Sequence, residues 1–374
     1  MKLRRVRAIF RKEMLHIVRD ARSLYLALAI PMLLLLLFGY ALTLDVDHIP
    51  TVMDDRDQSP QSRELVERFR ASRYFTIRAD SGDTLRRIDR SETLLAVTIL
   101  AGFSRRIERG EPADVQLVLD GSDSNTASIA LGYAEGLVAF YAAELRDDFA
   151  NRRGAAKLKM PVEPRIRVLY NSELKSKNYI VPGLIAVILM IISALLTSLT
   201  IAREWETGTM EQLLSTPVRP AELVLGKLGA FFAVGVVDMV LSLLVAVLIF
   251  DVPLHGNVWL LMGTSFIFLF GALCWGLMIS AAMRNQLLAY QVGMMTSFLP
   301  AFMLSGFIYA IESMPPVVQA FTYLIPARYF ITITKGVFLK GVGAGLLWME
   351  IAFLVVYAAV VFLFATRKLS QKIA

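Results

Sequence analysis

Residues Tyr179 to Ala202 read YIVPGLIAVILMIISALLTSLTIA, 24 positions without a charged side chain. A hydrocarbon core about 30 Å thick is crossed by about 20 apolar residues in a helix, so this run predicts a membrane span. Outward from it, five more runs meet the same test: Leu24 to Leu44, Val224 to Phe250, Val258 to Met283, Leu287 to Ile311 and Leu346 to Thr366. The whole chain agrees. Of 374 residues, 56% are hydrophobic and 19% charged, with a mean hydropathy of +0.56, outside the range of a soluble domain of this length. The expected fold is an α-helical polytopic membrane protein of six transmembrane helices. An extracytoplasmic α/β domain, residues 45–178, is inserted between the first span (residues 23–44) and the second, and residues 179–374 hold the other five.

The first run follows a basic stretch, as a secretory signal does, but it is too long and lacks an Ala-x-Ala site, so it reads as an uncleaved span. The net charge of +7 would suggest nucleic acid in a soluble chain; its distribution points to a membrane instead. Lys2, Arg4, Arg5, Arg7, Arg11, Lys12, Arg19 and Arg22 precede the first span against only Glu13 and Asp20, whereas from Asp45 to Asn178 the 21 basic and 22 acidic residues nearly cancel. Arg203, Arg219, Lys227 and Arg284 mark further loops on the basic side, and Arg367, Lys368 and Lys372 mark the C-terminal end. The loop Asp251 to Asn257 has neither Lys nor Arg. Positive charge in short loops stays inside, which places both termini in the cytoplasm and residues 45–178 outside. The exception is Glu312 to Gly345, with Arg328, Lys335 and Lys340 on the outer side; a re-entrant segment at 312–345 would escape the rule. In residues 1–22, Val6, Ile9, Phe10, Met14, Ile17 and Val18 recur at helical spacing among basic residues, as in a helix lying on the cytoplasmic leaflet.

Residues 45–178 alternate short β-type and helical stretches, the α/β pattern: Thr51 to Met53 then Ser59 to Ala71, Tyr74 to Ile77 then Asp83 to Asp89, Leu94 to Leu100 then Ser104 to Arg109. Val115 to Leu119 and a long helix from Ser124 to about Asn151 follow, and Arg165 to Tyr170 returns to the membrane. Glu64, Glu67, Arg68 and Arg70 read as a solvated helix face rather than catalysis. His48 is the only histidine in this stretch, so no metal-ligand cluster is expected. The lone cysteine, Cys274, excludes an intrachain disulfide.

The most specific segment is the loop after the second span, REWETGTMEQLLSTPV from Arg203 to Val218. Gly208 breaks the helix, Thr209 with Gln212 predicts a capping box for a new one, and Pro217 stops it. Met210, Leu213 and Leu214 then share one face of a two-turn helix flanked by Glu204, Glu206 and Glu211, with Trp205 before it. Such an element suits a groove on a cytoplasmic partner better than it suits a plain elbow.

This loop resembles the coupling region (203–220) of the ABC-2 type transporter permeases, as does Leu225-Gly226-Lys227 at the start of the next span. A second likeness is LSGFIYAIESMPP from Leu304 to Pro316, followed by LIPARYF from Leu324 to Phe330 and LKG from Leu339 to Gly341, which is similar to the outer re-entrant region of the same family. The resemblance covers nearly the whole chain and is closest to the bacterial subgroup proposed to export drugs and other small amphiphiles. It implies two cytoplasmic ABC ATPase subunits, a second permease that is either an identical copy or a paralogue, and a periplasmic adaptor as a further candidate partner. It also implies roles for Arg203, Glu204, Trp205, Glu206, Gly208, Thr209, Glu211, Leu213, Leu214 and Pro217 in coupling. Ser305, Gly306, Glu312, Met314, Pro315, Pro326, Arg328 and Tyr329 would belong to the re-entrant segment. The chain has no Gly-x-x-x-x-Gly-Lys-Ser/Thr loop, so ATP and Mg would sit on the separate ATPase and no cofactor on this chain.

Asp238 lies mid-span, where an ionisable group costs about 2.5 to 3.5 kcal/mol, making it a pathway candidate beside a simple hydrogen-bonding role. Arg328 is expected to pair with Glu312. Gly226, Gly229, Gly263, Gly271 and Gly276 are expected to let helices approach closely. Met294, Met295, Met303, Phe298 and Phe302 read as core or lipid-facing before they read as an amphiphile path. Export of ions or of a lipid or polysaccharide stays open as an alternative. A membrane sensor would need a cytoplasmic output domain, and a secondary transporter would need inverted repeats and several buried ionisable groups.

Overall fold

The computed structural model describes residues 2–41, 48–78, 84–90, 92–152, 170–171, 175–283 and 285–373. They form two compact units, one of Met1–Thr43 with Val168–Ala374 and one of Leu44–Arg167.

In chain order the first unit opens with α1 (Leu3–Arg19) and α2 (Ala21–Ala41). The second holds β1 (Ile49–Asp55), α3 (Pro60–Ala71), β2 (Phe75–Arg78), α4 (Thr84–Asp89), β3 (Leu95–Ile99), α5 (Phe103–Arg109), β4 (Val115–Leu119) and α6 (Ser124–Arg152). The first unit resumes with α7 (Ser176–Ser198), α8 (Thr200–Glu206), α9 (Thr209–Leu214), α10 (Pro220–Leu248), α11 (Val258–Ala282) and α12 (Gln286–Met303). It ends with α13 (Pro316–Thr322), α14 (Pro326–Lys335), a π-turn at Gly336–Lys340, and α15 (Trp348–Ile373).

Four helical stretches of the described residues are long and apolar enough to cross a membrane: Ser176–Glu206, Pro220–Leu248, Val258–Ala282 and Trp348–Ser370. Of the other two expected runs, the first is helical over Ala21–Ala41, with Ala27–Ala41 its continuous apolar stretch of described side chains. The fifth stops at Met303 rather than Ile311, because Gly306 turns into the left-handed region at φ +79° and Ile311–Ser313 winds as a separate 3-10 turn.

Helix approach in this unit is set by missing side chains. A Cβ on Gly276 would stand 2.1 Å from Thr197 Oγ1 and 3.1 Å from the Ser193 carbonyl; one on Gly271 would meet Tyr357 at 2.9 Å. Gly226 and Gly229 are filled in the same way by Ile9 and Phe10 of α1, whereas a Cβ on Gly263 would meet nothing within 4 Å among the described residues. Phe268 of α11 stacks on Phe330 of α14 with centroids 4.2 Å apart, fixing the late segment against the bundle. The step between α7 and α8 is satisfied by Ser280, whose hydroxyl accepts both the Ile201 N–H (2.9 Å) and the Ala202 N–H (3.0 Å).

The other unit is a four-stranded sheet in the order β2-β1-β3-β4, with β1 parallel to both β2 and β3 and β4 antiparallel to β3. Period-2 alternation puts Ile49, Met53, Leu95, Val97 and Ile99 on one face. There they meet Leu65 and Phe69 of α3 and Ala130, Ala134 and Tyr141 of α6. Arg68 ties the two helices, 2.8 Å from Glu64 and 2.5 Å from Glu144. Asn171 Oδ1 accepts from the Lys175 N–H (3.2 Å) and Asn178 Nδ2 (3.0 Å), which joins Asn171 to the head of α7. Of the expected return at Arg165 to Tyr170, only Tyr170 lies within the described residues.

In open α/β sheets ligands bind beyond the carboxyl ends of the strands where the connections diverge, here between β1 and β3. That place is taken by the chain's own Asp57, whose carboxylate accepts from Gly102 N–H (2.7 Å) and Ser104 N–H (3.0 Å) at the start of α5. Desolvation alone would raise the Asp57 carboxyl, but hydrogen bonds from Ser59, Ser104 and Gly102 bring it down to about 2.

Two outcomes follow from this packing. Gly276→Ala should lower the stability of the detergent-solubilised protein by about 1–3 kcal/mol in thermal unfolding, while Gly263→Ala stays close to wild type. The stabilisation from Asp57, being that of a lowered carboxylate, is complete above its unfolded value of 3.8 and is lost as pH falls through about 2. Amide exchange at Gly102 and Ser104 should accelerate in Asp57→Ala at pH 5 and 7 and differ little from wild type below pH 2.

Candidate functional site

At the elbow after α8 the helix ends at Glu206, and Gly208 at φ +71° supplies a left-handed turn that few other residues adopt. Gly208 itself is the N-cap of α9. Thr209 therefore occupies the first helical position and the expected Thr209 with Gln212 capping box does not form; no side chain caps this helix. The Thr209 hydroxyl instead donates to the Glu204 carbonyl at 3.4 Å. After Leu214 the turn through Ser215 and Thr216 is held by their hydroxyls, which donate to the carbonyls of Gln212 (2.7 Å) and Leu213 (2.6 Å).

The apolar side of α9 does not face outward. Met210 is fully buried and Leu213 half-buried against the core of the helical unit, while the Leu214 side chain lies outside the described residues. What the elbow exposes is polar: Glu206, Thr207, Gly208, Thr209, Glu211 and Gln212, then Ser215 to Pro217. The physical reason is that apolar groups on so short a helix gain more from the adjacent core than from water.

Each glutamate of the expected trio does something different. Glu206 is stapled to the start of α12, accepting from the Gln286 N–H at 2.8 Å and from Gln286 Nε2 at 2.5 Å, while Arg203 Nε donates to Gln286 Oε1 at 3.2 Å. Glu211 stands exposed. Glu204 turns inward to Lys227, an ammonium only 1% exposed and 2.8 Å from Glu204 Oε1 and 2.9 Å from Glu13 Oε1. Lys12 completes the group at 3.1 Å from Glu204 and 3.2 Å from Glu13. Two ammonium groups thus share two carboxylates between α1, α8 and α10. Desolvation opposes the charge on Glu13, but Lys227 and Lys12 outweigh it and hold the carboxyl below its ordinary value of 4.5. For Lys12, desolvation is likewise overcome by Glu13 and Glu204, and its ammonium is raised above 10.5.

The amphipathic helix α1 serves this cluster. Ile9 and Phe10 fill the space over Gly226 and Gly229, which carries Glu13 onto Lys227 one turn away. The face of Val6, Ile9, Phe10, Met14 and Ile17 thus lies on protein, and Val18 is left exposed. At the start of α10, buried Glu222 accepts from the Lys2 N–H (2.6 Å) and the Arg219 N–H (3.2 Å), and Arg5 donates to the Pro217 carbonyl. Leu225-Gly226-Lys227 stood out in the sequence, but a lysine in an apolar run carries no signal of two glutamates 23 and 214 positions away.

The late segment forms a separate group. Ser305 is buried and donates to the Ala301 carbonyl. The Gly306 carbonyl accepts from Tyr179 OH (3.0 Å) and Lys335 Nζ (3.2 Å), and that ammonium lies 3.3 Å from the centre of the Tyr179 ring. Gln319 Nε2 donates to the Met314 carbonyl (2.9 Å), Pro315 caps α13, and Pro326 starts α14. Arg328 does not pair with Glu312. Glu312 is exposed on its 3-10 turn, whereas Arg328 folds back on α13, donating to Thr322 Oγ1 and covering the Tyr323 ring at 4.0 Å. Tyr329 donates to the Tyr323 carbonyl (2.8 Å) and stacks on Phe353. Asp238 joins neither group. It is fully buried along α10, and neither carboxylate oxygen has a hydrogen-bond partner among the described residues.

The fold and this site define a polytopic helical membrane protein with a stapled polar elbow and a second unit inserted in its chain. Residues 22–367 match the family described as ABC-2 family transporter protein. The chain is 37% identical to the probable multidrug ABC transporter permease YbhS of Escherichia coli (strain K12) over 358 residues, covering 95% of this chain and 94% of that one. It is 31% identical to the probable multidrug ABC transporter permease YbhR of the same strain, over 95% of each chain, and 26% identical to the inner membrane transport permease YhhJ, over 87% and 86%. The chain belongs to the ABC-2 transporter family.

Removing one partner from a buried ion cluster leaves an uncompensated charge at a cost of about 3–5 kcal/mol. Lys227→Met should therefore lower thermal stability in detergent by that order, and Lys227→Met with Glu204→Gln should recover part of it. The Glu13 contribution, that of a lowered carboxylate, is present above 4.5 and lost as pH falls through its depressed value; that of Lys12, a raised ammonium, is present below 10.5 and lost as pH rises past it.

Proposed function

We propose that this chain is the membrane-spanning permease subunit of an ATP-driven ABC exporter, moving drugs or other small amphiphilic molecules out of the cytoplasm or inner membrane. The family membership supports the transport role, and the names of the YbhS and YbhR relatives support the substrate class. In this reading α2, α7 with α8, α10, α11, α12 and α15 are the six spans. Both ends face the cytoplasm, residues 45–178 face outward and residues 312–345 re-enter from the outer side. Two ATPase subunits carry ATP and Mg, and a second permease completes the pathway.

The observation that carries the reading is the elbow. Its exposed rim from Glu206 to Pro217 is polar, and from behind it is fastened to three helices at once, to α12 through Gln286, to α10 through Lys227 and to α1 through Lys12. An ATPase subunit that docks on the rim and moves would displace rigid helices rather than bend a loop. Coupling then needs the rim, with Glu211 and Thr209, and the staples, Arg203, Glu204 and Glu206; Trp205, Gly208, Leu213, Leu214 and Pro217 keep the turn in shape.

The test is ATP hydrolysis and efflux measured together in the purified complex with its ATPase. Glu206→Ala and Gly208→Pro should each lower the substrate exported per ATP by about tenfold, the size of a typical coupling free energy. Wild-type efflux in both variants would refute the assignment.

A further inference from the structure

Between Lys227 and its end at Leu248, helix α10 carries one ionisable side chain, Asp238. It is fully buried, and neither carboxylate oxygen has a hydrogen-bond partner among the described residues. Ser242, one turn further on the same face, is also buried with its hydroxyl oxygen unpartnered. By contrast, Ser193 of α7 and Ser265 of α11 donate to the carbonyls four residues back, Leu189 (2.6 Å) and Leu261 (2.7 Å). Two polar side chains thus share one buried face of α10 and neither is satisfied.

The elements packed on α10 are α1, α2, α7, α11 and α15, and their charges lie toward helix ends. Helix α11 has no charged side chain. Helix α2 has only Arg22 and α7 only Lys177, each at the second position. Helix α15 has Glu350 in its first turn and Arg367, Lys368 and Lys372 in its last two. The charged side chains of α1, Lys12, Glu13 and His16 among them, accompany the start of α10, where Ile9 and Phe10 lie over Gly226 and Gly229. What remains titratable on these elements are phenols, Tyr25 and Tyr40 of α2, Tyr179 of α7 and Tyr357 of α15, and the Cys274 thiol of α11. An ionised carboxylate without a partner in such surroundings costs far more than the neutral acid. The ligand that relieves it without needing space is a proton.

We propose that Asp238 is a proton-binding site linked to the switching of the permease. It holds a proton while α10 is packed as described and releases it when α10 parts from its neighbours. In that step the carboxyl O–H bond breaks, the proton passes to water, and the carboxylate left behind accepts a hydrogen bond from the Ser242 hydroxyl. Water has a short way to come. A cavity of about 600 Å³ between α1, α7, α8 and α10 is lined by Lys227 and Phe231. Phe231 shares the buried face of Val234, Asp238 and Ser242 and precedes Asp238 by two turns, about 10 Å of helix. That the proton leaves during transport rests on the permease reading above; that Asp238 holds it does not.

The first measurement is the infrared spectrum of the full-length permease in maltoside micelles at pH 7, where the carbonyl stretch of a protonated carboxylic acid stands clear of amide and carboxylate bands. The wild type should show such a band, shifted by exchange into heavy water. Asp238→Asn should remove it, and Glu135→Gln, a change at an exposed carboxylate, should leave it in place. If no band depends on Asp238, the proposal is overturned whatever the complex does. The second measurement uses the complex with its ATPase in weakly buffered solution. A non-hydrolysable ATP analogue should release a proton from the wild type that Asp238→Asn does not release. Asp238→Asn, a neutral mimic of the acid, should keep the thermal midpoint of the wild type and lower the substrate exported per ATP by about tenfold, with most of it restored in Asp238→Glu. Equal proton release in the wild type and Asp238→Asn, or wild-type efflux in Asp238→Asn, would overturn the link to switching. Absence of efflux from the wild-type complex itself would count against the permease reading and leave the infrared band to decide the proton site.

Discussion

Lys227 sits where water cannot reach its ammonium, and that single fact organises the helical unit around it. An ion taken out of water costs several kcal/mol even after the protein relaxes, so the charge is tolerable only with opposite charge in direct contact. Both glutamates that provide it come from other elements, Glu13 from α1 and Glu204 from α8. Helix α1 must therefore lie across α10, and Gly226 and Gly229 clear the space for its Ile9 and Phe10 to do so. Helix α8 must stop short and close, which makes the turn at Gly208 begin where it does. A hydrophobic residue of similar volume at 227 would leave α1 no charged reason to choose this face of α10.

The periodic features of the fold were legible in the sequence because they are local. Apolar runs long enough for a bilayer, the β-then-helix alternation from Thr51 to Leu119, and the break at Gly208 each depend on residues within a few positions of one another. The failures were all long-range or competitive. Nothing near Arg328 announces that it folds onto Thr322 and Tyr323 instead of reaching Glu312. Met210 and Leu213 have the spacing of a face offered to a partner, and only the neighbouring core decides that they turn inward. The capping box at Thr209 satisfied its pattern, yet the glycine before it had already taken the cap position. The fifth apolar run looked unbroken as far as Ile311 because composition cannot see the left-handed turn at Gly306.

Polar groups without evident work in the sequence divide into two kinds once placed. Asp57 in the sheet unit occupies the crevice where a ligand would bind in a related topology, and its carboxylate already has the amides it needs. It is an internal anion that closes the site. Asp238 is the reverse case: buried along α10 with no partner for either oxygen among the described residues, it keeps a high free-energy cost in the middle of a helix without contributing to the elbow or to the late segment.

The inward turn of α9 also changes what kind of contact the elbow makes. A helix laying an apolar face in a groove would bind mainly by area, and each removal of Met210 or Leu213 would be felt first as lost affinity. With those residues committed to the core, the rim that remains is carboxylate, hydroxyl and amide. Polar rims of this type contribute more to orientation and encounter rate than to affinity. In the coupling role proposed for it, holding strength would come from elsewhere in the assembly, while the elbow would carry displacement. A rim that carries displacement is useful only if it cannot yield, and the contacts of Glu206 with Gln286, of Glu204 with Lys227 and of Arg5 with the Pro217 carbonyl meet that condition at its two ends.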